Sequence, residues 1–124
     1  MCSRDELQSV IQRVVQDTVE MLSDKIDKIV LYGSYARGDF TSESDIDIMI
    51  LLNCEEQEVQ EYRKAVSRLA SRILLDNDVE VSLLLRNSRS FEEKLQISSF
   101  YQNVQKESIV LYSKMDLHKY PRNR

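Results

Sequence analysis

Only two glycines, Gly33 and Gly38, occur in the 124 residues, and they stand five apart in one short segment. A soluble chain of this length ordinarily carries roughly nine, at about 7%. The backbone is therefore freed from Cβ constraint in a single place. The sole proline, Pro121, lies near the C-terminus. Every other turn has to be built from Asp, Asn and Ser.

The pattern on either side of the glycines alternates between helix and strand. Ser3 and Glu6 form a capping box, and Leu7, Val10, Ile11, Val14, Val15, Thr18, Met21 and Leu22 follow the helical period. A charged turn is expected at Ser23 to Lys28, and the β-branched run Ile29-Val30-Leu31-Tyr32 is expected to be a buried strand stopped at Gly33. DIDIMILL from Asp45 alternates and then turns wholly apolar, the mark of a strand that starts exposed and ends buried. From about Glu55 to Asp76, Val59, Tyr62, Val66, Leu69, Ala70, Ile73 and Leu74 make one helical stripe.

Asp76-Asn77-Asp78 reads as a turn before VEVSLLL, a strand that Glu80 interrupts with a carboxylate. Ser90 with Glu93 predicts one helix running to about Lys106, and Ile109 to Tyr112 a final short strand. The expected unit is one domain over residues 1–113, with 114–124 a flexible basic tail carrying Lys119, Arg122 and Arg124.

Composition narrows the function. Apolar residues at 42% and charged residues at 31% describe a folded globular domain. No run reaches the roughly 18 apolar residues of a membrane span, and residues 1–6 have no signal-peptide core, so a cytoplasmic protein is expected. A net charge of -4 disfavours nucleic acid as the main partner. Cys2 and Cys54 lack the spacing of a disulfide framework or zinc site, and His118, the only histidine, lies in the tail.

The chemistry-bearing residues centre on the glycines. A strand ending in Gly33-Ser34 and turning into a short helix presents backbone N–H groups and a hydroxyl at the positive end of a helix dipole, a seat for an anion. Ten residues separate Ser34 from Asp45, and Asp45 and Asp47 project from one strand face, about 7 Å apart along the strand. Two such carboxylates suit a divalent cation carrying phosphate oxygens. Glu80, set among apolar neighbours, is the candidate third carboxylate, with Asp78 the competing one. Arg37 either neutralises phosphate or merely solubilises its helix.

GSYARGDFTSESDID resembles the Gly-Ser, ten residues, Asp-X-Asp signature of the DNA polymerase beta-like nucleotidyltransferases, and the small size and the ending FYQNVQKESIVLYSK resemble their minimal nucleotidyltransferase branch. The resemblance implies an α+β fold, a mixed sheet with helices packed mainly on one face. It implies transfer of a nucleoside monophosphate from a triphosphate to an acceptor hydroxyl, with Mg²⁺, two ions in this reading, at Asp45, Asp47 and Glu80. Gly33, Ser34 and Arg37 would bind the nucleotide, and Glu80 would draw off the acceptor proton.

Many members of that branch are antitoxins paired with HEPN-class ribonuclease toxins. The resemblance thus implies an antitoxin of the type VII kind, attaching AMP from ATP to a tyrosine of a toxin encoded beside it, in a hetero-oligomer or as a homo-oligomer. Transfer to a small molecule such as an aminoglycoside, and a non-catalytic toxin-binding antidote, are the alternatives.

Overall fold

The computed structural model describes residues 4–114. Helix α1 spans Arg4–Leu22 and buries Val10, Val14, Thr18 and Leu22, a four-residue spacing that lays one stripe on the core. A 3₁₀ turn at Ser23–Lys25 leads into β1, Ile26–Tyr32. The charged turn is thus shorter than expected, because Ile26 is 1% exposed and pairs with Leu52.

Helix α2, Ser34–Arg37, follows Gly33, and β2 runs over Ile46–Leu52. Helix α3, Glu56–Asn77, is ended by Asp78 in the left-handed conformation at φ 55°, its N–H donating to Leu74 O at 2.9 Å. Leu74, placed on the buried stripe by its spacing, is 42% exposed in the last turn of α3.

Strand β3 covers Val81–Asn87, β4 covers Ile109–Ser113, and α4 (Ser88–Lys94) and α5 (Ser99–Glu107) lie between them. The single helix expected from Ser90 is two. The Asn87 side chain accepts the Ser90 N–H at 2.9 Å to start α4, and Ser98 Oγ accepts the Tyr101 N–H at 3.3 Å to start α5. Two short polar side chains therefore cap two helices where the periodicity suggested one. The Ser3 capping box, Cys2 and the basic tail lie outside the described residues.

The sheet is mixed, in the order β3-β2-β1-β4. β1 pairs antiparallel with β2 and β4, while β2 and β3 run parallel, joined by α3. The long helices α1 and α3 cover one face, over Ile29, Leu31, Ile46, Ile48, Ile50 and Leu52. The short α4 and α5 cover part of the other, over Val30, Met49 and Leu51. Each fully buried aliphatic side chain stabilises the fold by about 1.5–3 kcal/mol, so β2, buried on both faces, anchors whatever its leading residues carry. Among the described residues, no helix is long and apolar enough to cross a membrane.

Candidate active site

β1 and β2 form a hairpin whose loop end is the pair Tyr32 and Asp47. Gly33 follows at once, with φ 78° and ψ -159°, a conformation essentially restricted to glycine. It is pressed on Asp47 as well. A Cβ on Gly33 would run into Asp47 Oδ2 and lie 3.3 Å from both Asp47 Cβ and Cγ. The turn is then locked by backbone bonds: Gly33 O accepts the N–H groups of Ala36 and Arg37, and Ser34 O those of Gly38 and Asp39, all at 2.8–3.1 Å.

Gly33, Ser34, Arg37 and Asp47 line one cleft of about 340 Å³, together with Tyr32 and with Phe100, Asn103, Val104 and Glu107 of α5. The structure brings these four sequence-derived candidates together. Asp45 and Glu80 instead line a neighbouring cavity of about 410 Å³, with Glu43 and Asp78 also in its wall. Glu80 does not sit within its strand. It precedes β3 and is exposed, so the expectation of a carboxylate buried among apolar residues is corrected. The parallel register pairs Asp47 with Ser82, and Ile46 N–H donates to Glu80 O at 3.2 Å, which sets Glu80 level with Asp45 on the same face. Among the described residues, no three acidic, His or Cys side chains are gathered closely enough to hold a metal as they stand.

Electrostatics distinguish Asp47. Burial, and then the charge of Asp45, push its carboxyl above the ordinary aspartate value, and Arg37 opposes the shift. Tyr32 opposite is pushed up to about 12, by burial first and then by the charge of Asp47. Arg37 is itself engaged, Nε donating to Asp39 Oδ2 and Nη1 to Glu107 Oε1, each at 3.1 Å.

The family model of the nucleotidyltransferase domain matches residues 11–111, from α1 into β4. The chain belongs to this family. Among proteins similar to this nucleotidyltransferase are two from Methanocaldococcus jannaschii, each named as a candidate protein adenylyltransferase. One is 35% identical over 105 residues, covering 82% of this chain and 97% of that protein. The other is 35% identical over 80 residues, covering 64% and 79%.

Two solved structures share the fold. A candidate nucleotidyltransferase from Sulfolobus solfataricus superposes with a TM-score of 0.53 at 18% identity, covering 92% of each chain. A toxin–antitoxin structure with AMP-PNP gives a TM-score of 0.52 at 22% identity, covering 88% of this chain and 78% of that one.

Asp47, with Asp45 two residues before it, offers the oxygen donors that a Mg²⁺ carrying phosphate oxygens would take. Asp47 carries a carboxyl whose ionisation is opposed by burial and by Asp45, and a hard dication held by one or two carboxylates plus phosphate oxygens relieves that opposition. The α5 residues Phe100, Asn103 and Glu107 escaped sequence reasoning. Their spacing of three and four marks one helical face, yet only the tertiary structure turns that face toward Gly33.

Proposed function

We propose that this nucleotidyltransferase transfers AMP from ATP to a tyrosine hydroxyl of a partner protein, a HEPN-class toxin, acting as its antitoxin in the cytoplasm. The observation that carries the reading is the Gly33 to Asp47 contact: a glycine turn able to seat phosphates pressed against a carboxylate able to hold their cation. The names of the Methanocaldococcus jannaschii relatives and the toxin–antitoxin with AMP-PNP support the acceptor class and the nucleotide.

In this reading Gly33 and Ser34 hold the β- and γ-phosphates at the start of α2. Asp45 and Asp47 would hold Mg²⁺, which when bound neutralises charge on the phosphates. The acceptor oxygen forms a bond to the α-phosphorus as the bond to the β-phosphate oxygen breaks, and pyrophosphate leaves. Glu80, level with Asp45, takes the acceptor proton. α5 closes the nucleotide side against water, with Phe100 edge-to-face on Tyr32 at 5.9 Å.

A second reading, transfer to a cationic small molecule such as an aminoglycoside, is favoured by the acidic wall of the Asp45 cavity. Intact mass spectrometry separates the readings. The protein is mixed with Mg²⁺, ATP and the product of the neighbouring reading frame, beside an Asp47→Asn control. A gain of AMP on the partner, absent in the control, is the expected result. A stable complex with no gain would favour a binding antidote, and neither complex nor gain would turn the search to small acceptors.

A further inference from the structure

Among the described residues, Arg37 is the only basic side chain lining the Gly33 cleft. Its guanidinium is nevertheless committed on two sides, to Asp39 and to Glu107. Two carboxylates around one guanidinium leave a net negative group, a poor direct ligand for a triphosphate. Both carboxylates are placed by the backbone. Asp39 N–H donates to Ser34 O at 3.1 Å, the oxygen that also accepts Gly38 N–H at 2.8 Å. Glu107 ends α5, whose Phe100 and Asn103 form the facing wall of the same cleft. One line of contacts thus runs from Ser34 through Asp39 and Arg37 to α5.

We propose that Arg37 is a positioning residue which, with Asp39 and Glu107, clamps the Gly33-Ser34 turn to α5 and sets the width of the cleft, without ligating the phosphates. This rests on the reading of that cleft as the nucleotide seat. The Arg37 and Glu107 side chains are 42% and 26% exposed, so their attraction is screened and adds little to global stability. Its effect lies in holding two walls in register, which ligand binding reads and unfolding does not.

The test is calorimetric titration of AMP-PNP, with Mg²⁺ present, into the whole chain and into Arg37→Gln, Glu107→Ala, the double variant and Glu107→Gln. Arg37→Gln and Glu107→Ala are expected to weaken binding by a similar factor, roughly three- to tenfold, with melting temperatures unchanged. The double variant is expected to bind no worse than either single one, and Glu107→Gln, which keeps an acceptor for Nη1, to stay within about twofold of native. Glu107→Ala binding as well as or better than native, while Arg37→Gln weakens, would overturn the clamp and make Arg37 a phosphate ligand. Unchanged affinity in every variant would overturn it too. A native chain that does not bind AMP-PNP would remove the nucleotide seat, and the clamp with it.

Discussion

Gly33 lies so close to Asp47 that a methyl group on the one would collide with the carboxylate of the other. The contact joins the end of β1 to the start of β2 and makes glycine obligatory on two counts, space and backbone angle. Gly33→Ala is expected to cost about 1–3 kcal/mol from the backbone alone, with a further penalty as Asp47 is displaced. Urea denaturation reads the first effect, and AMP-PNP affinity, expected to fall, reads the second.

Asp47 makes stability depend on pH in a defined direction. Because its folded carboxyl is raised above the ordinary value, the folded chain keeps a proton that the unfolded chain has released. The resulting stabilisation is full below the ordinary aspartate range and is lost as pH rises through the folded value. At neutral pH, without metal, Asp47→Asn is therefore expected to melt higher than native, and the gap to close near about pH 3. Mg²⁺ is expected to raise the native melting temperature and leave that of Asp47→Asn unmoved. Equal melting of the two proteins at neutral pH would contradict the shift.

Tyr32, opposite Asp47, is the alkaline counterpart. Its hydroxyl is pushed up to about 12, so its contribution to stability is present below about pH 10 and is lost as pH rises toward the folded value. An ultraviolet titration of tyrosinate is expected to show one group ionising late, absent in Tyr32→Phe.

Glu80 keeps the role expected of it from the sequence but not the place, since it is exposed and precedes β3. As the proton acceptor it is needed for transfer and not for nucleotide binding. Glu80→Gln is expected to bind AMP-PNP within about twofold of native while transfer falls about 10²- to 10⁴-fold. Full transfer by this variant would pass the role to another group, Asp78 being a carboxylate in the same cavity wall.

How far the site was legible depends on where its parts lie along the chain. That Gly33, Ser34 and Asp47 share a cleft follows from a local hairpin, and the apolar run of β2 announces the strand that carries Asp47, whereas Asp45, just before that strand, lines the neighbouring cavity. Glu80 looked mid-strand because Val79 and Val81 flank it, yet β3 begins only at Val81, opposite Ile46. The division of α4 from α5 was missed because a serine reads as a cap only when tertiary packing ends the helix before it, as at Ser98. No local pattern could announce that Glu107 meets Arg37, 70 positions away.

That separation also bears on how the protein assembles. Tyr32 and Asp47 meet by closing a short loop, and short loops close early and cheaply. The wall formed by α5 comes from far along the chain, Tyr101 and Val104 packing on Val30 and Tyr32 just before β4 pairs with β1 through Val30 and Val110. The Gly33 turn and Asp47 thus depend on a local loop closure, and the pocket around them on contacts between distant parts of the chain, whose closure costs more entropy.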